Sequence, residues 1–102
     1  MRIEVIGRNL DVTNAIREHA EAKAAKLPRY FDHIQQITFR LSPEDHHHKG
    51  SFRVELVVDV EKHDDFVSHA SHEDLYTAID QAVQKASRQL TDFKEKLKLG
   101  KR

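Results

Sequence analysis

The 102-residue chain contains no cysteine. That absence excludes a disulfide scaffold, a cysteine nucleophile, a zinc finger and an iron–sulfur site. Glycine is scarce: Gly7, Gly50 and Gly100 are too few and too scattered to build a phosphate-binding glycine loop. No apolar run approaches the roughly 20 residues of a membrane span. The opening Met1-Arg2-Ile3-Glu4-Val5-Ile6-Gly7 alternates charged with apolar residues and lacks the apolar stretch of a signal peptide. A cytoplasmic protein with no membrane partner is therefore expected. Charge of one sign is lacking too, since 17 basic side chains face 17 acidic ones.

What is present fits one soluble domain spanning residues 1–102, long enough to bury about two-thirds of its unfolded surface without a structural metal. The neutral total conceals an uneven distribution. From Lys85 to Arg102 seven basic residues face only Asp92 and Glu95, a local +5, whereas residues 41–66 carry three basic and seven acidic side chains. Surface potential follows local charge, so the C-terminal end can hold a polyanion. The last few residues are expected to form a disordered basic tail.

Hydrophobic spacing gives the element order. A short strand is predicted over about 2–6, with Ile3 and Val5 on one face. After a turn at Gly7–Asp11, Thr13 is positioned to cap a helix whose apolar residues Ile16, Ala20, Ala24, Leu27 and Phe31 predict helix through about Leu27, ended or kinked by Pro28. Two period-two runs, 36–41 and 52–60, flank a polar loop and form an antiparallel hairpin. A fourth strand covers 66–70. Ser71 is read as opening the last helix, whose stripe runs Leu75, Ile79, Ala82, Ala86, Leu90, Phe93 and Leu97. The result is an α+β fold of order β-α-β-β-β-α, a four-stranded mixed sheet with both helices on one face.

At 100° per residue, Lys85, Arg88 and Lys96 fall on one flank of the last helix's apolar stripe, and Lys94 and Lys98 on the other. On the first helix His19, Lys23, Lys26 and Tyr30 form a flank at four-, three- and four-residue spacing. Joined side by side, these flanks would make a basic surface with an aromatic, suited to a phosphate backbone with partly exposed bases. Lysines beside an apolar stripe also snorkel and solubilise, so spacing alone leaves both readings open.

The run His46-His47-His48 invites a metal reading, but consecutive histidines on a turn lack the fixed geometry of a built site. His69 and His72, with Asp74 nearby, straddle a strand end and a helix start without evident convergence. Asp64 and Asp65 are adjacent in a turn, where successive side chains diverge, and no nucleophile–base arrangement is evident. No enzyme, cofactor, metal or small-molecule substrate is expected.

The residues Glu73-Asp74-Leu75-Tyr76-Thr77-Ala78-Ile79-Asp80, followed by Lys85-Ala86-Ser87-Arg88-Gln89-Leu90 and Lys94-Glu95-Lys96-Leu97-Lys98, resemble the C-terminal helix of the ribosome hibernation-promoting factor and ribosome-associated inhibitor family, also labelled sigma-54 modulation proteins. Val12-Thr13-Asn14-Ala15-Ile16-Arg17, Ala22-Lys23-Ala24-Ala25-Lys26-Leu27 and Tyr30-Phe31-Asp32 agree with its first helix. The similarity spans essentially the whole chain, and its end at Arg102 suits the short form.

The resemblance implies a domain akin to double-stranded RNA-binding domains that sits on the small ribosomal subunit, where messenger and transfer RNA pass, and inhibits translation by occlusion in non-growing or stressed cells. It implies contacts to 16S ribosomal RNA from Lys23, Lys26, Lys85, Arg88, Lys94, Lys96 and Lys98, to which Tyr30 is added from the flank described above. A monomer in solution is expected. Asp92, where lysine is common in the family, and Pro28 depart from its pattern, and Ala24 and Ala86 replace larger apolar residues. Competing expectations are a sigma-54 transcription modulator acting through protein contacts and a free double-stranded RNA binder.

Overall fold

The computed structural model describes residues 1–44 and 50–100. The histidine run at 46–48 and the end of the expected tail lie outside the described residues. Strand β1 (Arg2–Gly7) is followed by helix α1 (Asn14–Ala24), a 3-10 turn (Leu27–Arg29), strands β2 (Ile34–Pro43), β3 (Phe52–Val60) and β4 (Phe66–His72), and helix α2 (Leu75–Gly100). The four strands lie in the order β1-β2-β3-β4. β1 runs parallel to β2, with Val5 opposite Phe39, and β2–β3 and β3–β4 are antiparallel. The expected α+β class and element order therefore stand.

Several boundaries differ from expectation, β2 running two residues further at each end than the period-two run 36–41. The first helix ends at Ala24, and the chain tightens into the 3-10 turn that carries Pro28. Pro28 fits there because the first positions of a helical turn need no amide donor. Ser71 does not open α2. It pairs with Arg53 inside β4, so the strand continues to His72. The helix is capped by Asp74, whose Oδ1 accepts from the Tyr76 amide at 3.0 Å and whose Oδ2 accepts from the Thr77 hydroxyl at 3.0 Å. An aspartate directly before the first helical residue satisfies orphan donors better than a serine three residues upstream. At α1 the cap matches expectation, with Thr13 Oγ1 accepting from the Ile16 amide at 3.2 Å.

The core lies between the helices and the inward face of the sheet. Ile37, Phe39 and Leu41 of β2 and Val54, Leu56 and Val58 of β3 are fully buried at alternate positions, as a strand with one wet face requires. Fully or almost fully buried Ala20, Ala24, Ala78, Ala82 and Ala86 keep the helix surfaces low, which permits close approach to the sheet and between helices. Ala24 and Ala86 thus form part of a tight seam. Phe93 meets Phe31 and Phe66 at ring-centroid distances of 5.4 and 5.3 Å and closes one end of the core. With 26 residues α2 is about 39 Å long, accounting for most of the 50 Å long axis of a domain only 18 Å in its thinnest dimension.

Candidate nucleic-acid interface

Seven of the eight basic and aromatic side chains singled out above fall into three settings. Lys94 and Lys98 join Tyr30, Arg29, Thr91 and Glu95 around one recess, so the phenol ring and two amines meet where the 3-10 turn packs beside α2. Tyr30 is 40% exposed, presenting ring surface to solvent beside cationic groups. The tightening after Ala24 produces this arrangement, because it carries Tyr30 off the α1 axis.

Lys85, Arg88 and Lys96 lie on the opposite flank, over β4. Lys85 and Arg88 line a recess with His69, Gln89 and Asp92, and Lys96 lies with His63, Phe66, Phe93 and Asp92. Lys85 Nζ donates to the His69 carbonyl at 2.6 Å, and Gln89 Nε2 donates to the Val67 carbonyl at 3.0 Å. Lys85 therefore also serves the strand edge. Asp92 borders both recesses and lowers the charge of this flank. The flanks of α2 do not merge: the apolar stripe between them is seated on the sheet.

Lys23 and His19 occupy the third setting. Both turn toward Asp80 of α2, with His19 Nε2 2.8 Å and Lys23 Nζ 3.8 Å from Asp80 Oδ1, while the His19 ring meets Tyr76 edge-on at 5.0 Å. Lys26 is exposed. Among the described residues, no group of three or more histidines, cysteines, aspartates or glutamates is placed to hold a metal ion, and no helix is long and apolar enough to cross a membrane.

A second basic group lies on the open face of the sheet, which reading for helical flanks passes over. Arg8, Arg40 and Arg53 line a recess of about 380 Å³ with Ser42 and Glu55. Arg40 Nη1 donates to Glu55 Oε1 at 3.0 Å, and His69 Nε2 lies 3.2 Å from Glu55 Oε2. The hydrogen bond from Arg40 is the largest influence on the Glu55 carboxyl. Partial burial pushes the other way, His69 adds to the lowering, and the group titrates below its ordinary value of 4.5. The signal that finds these arginines is period two: Arg40 and Arg53 alternate with the buried residues of their strands.

Residues 3–98 match the family described as Sigma 54 modulation protein / S30EA ribosomal protein. The chain belongs to that family. It is 36% identical over 98 residues to the ribosome hibernation promoting factor of Escherichia coli K12, covering 96% of this chain and 98% of that protein. The N-terminal domain of Thermus thermophilus Protein Y superposes with a TM-score of 0.79 at 36% identity, covering 91% of this chain and 99% of that one. A ribosomal subunit interface protein from Coxiella burnetii has the same fold, with a TM-score of 0.81 at 24% identity over 93% of this chain and 99% of that one. Within this family domain Pro28 is absorbed by the 3-10 turn, and Asp92 is an acidic residue set among Lys85, Arg88 and Lys96.

Proposed function

We propose that this family domain is a ribosome hibernation factor, a non-enzymatic protein that binds the small ribosomal subunit in the messenger and transfer RNA channel and inhibits translation by occlusion. The observation that carries the reading is the joint placement of Tyr30, Lys94 and Lys98 around one recess beside the long, lysine-rich end of α2. RNA recognition calls for this pairing, because amines neutralise phosphates while an exposed ring stacks an unpaired base. Family membership and the name of the Escherichia coli relative support the same assignment. In this reading 16S ribosomal RNA is met by Lys23, Lys26, Tyr30, Lys94 and Lys98 on one side of the helical layer and by Lys85, Arg88 and Lys96 on the other. The protein acts as a monomeric single domain in the cytoplasm, with no cofactor or small-molecule substrate.

The mechanism is competition for volume. Phosphate contacts supply affinity, the shape of the helical layer supplies position, and the body of the domain fills the channel. In a purified translation system added protein inhibits synthesis from a reporter messenger, and preloading ribosomes with messenger and initiator transfer RNA protects them. Overlapping sites make the apparent dissociation constant rise with competitor occupancy. Equal affinity for empty and loaded small subunits would overturn occlusion.

A further inference from the structure

We infer that the open face of the sheet carries a second RNA-phosphate site, formed by Arg8, Arg40 and Arg53, so that the domain is held by RNA on both of its broad faces. The inference rests on the ribosomal reading above but uses none of its helical lysines. Arg40 in β2 stands opposite Glu55 in β3, and Ser42 opposite Arg53, so the two arginines are diagonal neighbours on one face of an antiparallel pair. Such neighbours have backbones about 7–8 Å apart, comparable to successive phosphates along a nucleic-acid strand. Arg8 joins them from the end of β1, where its amide donates to the Leu41 carbonyl at 2.8 Å and fixes the chain beside β2.

Three guanidinium groups and one carboxylate line the recess. Glu55 engages Arg40, and neither Arg8 nor Arg53 has a side-chain partner among the described residues. These two planar forks are open to solvent and match the paired oxygens of a phosphodiester. The Ser42 hydroxyl in the recess and Ser71, opposite Arg53 on β4, add groups that can bond a phosphate oxygen or a ribose 2′-hydroxyl. An acidic protein segment would answer the same charges. RNA is favoured because a domain only 18 Å in its thinnest dimension, filling an RNA-walled channel, meets RNA on both sides.

The test compares the intact protein with Arg8→Ala/Arg53→Ala and with Glu55→Gln, measuring affinity for purified small subunits across a salt series. The arginine double variant is expected to bind roughly tenfold more weakly, with the log–log salt slope reduced by about two. Glu55→Gln, which releases Arg40, is expected to bind several-fold more tightly. Wild-type affinity and slope in both would overturn the site. If Lys94→Ala/Lys98→Ala weakens binding while the sheet variants do not, the sheet site fails and the ribosomal reading stands.

Independently of the ribosome, NMR titration of the labelled protein with a short uridine oligonucleotide should shift the Arg8, Arg40 and Arg53 side-chain signals saturably. Inorganic phosphate should produce the same shifts only at much higher concentration. Shifts with polyglutamate but not with the oligonucleotide would overturn RNA in favour of an acidic protein partner. No response to either would overturn the site, even if the helical lysines bind ribosomes.

Discussion

His19 Nε2 and Asp80 Oδ1 stand 2.8 Å apart across the seam between α1 and α2, and Lys23 Nζ lies 3.8 Å from the same oxygen. One carboxylate thus gathers two side chains of the neighbouring helix. The Asp80 side chain is 44% exposed, so solvent screens both contacts. Asp80→Ala is expected to lower stability by about 0.5–1 kcal/mol, read from the midpoint of urea denaturation. A loss above about 3 kcal/mol would mean that this contact organises the seam and does not merely trim it.

Binding to small subunits should be electrostatic despite the neutral total charge. Lys94→Ala/Lys98→Ala removes two amines from the Tyr30 recess without touching a buried residue. Affinity should fall, and the log–log salt slope should flatten by about two. Sedimentation with purified subunits at several salt concentrations measures both, while an unchanged denaturation midpoint would separate lost contact from unfolding.

Gly7 is the one glycine hemmed in by backbone. A β-carbon there would run into the Leu10 carbonyl oxygen and come within 2.9 Å of Val12 Cγ2, because the turn after β1 folds back over it. Gly7→Ala should destabilise the domain by about 1–3 kcal/mol through overpacking. Gly100→Ala, with open space around the site, should stay within about 0.5 kcal/mol of the parent. Parallel urea titrations of the two variants check the contrast.

Glu55 gives a pH signature of defined sign. The folded protein holds its carboxyl below 4.5, so the folded state gives up this proton more readily than the unfolded chain. The stabilisation is fully present above 4.5 and is lost as pH falls through the lower folded value. The stability gap between the parent and Glu55→Gln should therefore narrow as pH falls below 4.5. Denaturation curves at a series of acidic pH values test it, and a gap that widens as pH falls below 4.5 would contradict the Arg40–Glu55 geometry.

The fold was legible in the sequence where burial dictates period. Phe39 and Leu41, Val54 and Leu56 alternate with polar neighbours, and Ile79, Ala82, Ala86 and Leu90 recur at helical spacing, so strands and helices declare themselves. The ends were less legible because local chemistry competes there. Ser71 and Asp74 both suit a cap, and the choice was made by the pairing of Ser71 with Arg53, a contact between distant parts of the chain. Ala25, Lys26 and Leu27 have good helix propensity, yet Pro28, the next residue, tightens the chain early.

Helical angle alone separates Lys85, Arg88 and Lys96 from Lys94 and Lys98 on α2, as the recesses do. What angle could not supply was the neighbours: Lys85 against the His69 carbonyl, Lys23 against Asp80, and Tyr30 beside Lys94. The open-face arginines are hidden in the sequence for a different reason. Arg8, Arg40 and Arg53 are far apart in sequence, and only the strand register brings them to one recess.

The bonds from Lys85 and Gln89 to the outward carbonyls of β4 bear on how the chain behaves in company. β4 is an edge strand, and an edge with free carbonyls is a template on which a second chain can add a strand. Here the carbonyls of Val67 and His69 are already occupied by side chains reaching down from α2. A foreign strand would have to displace both before it could pair, and the helix above blocks its approach. Self-association through this border is thereby disfavoured, and crowding many copies together carries less risk of amyloid-like growth than the sheet alone would suggest.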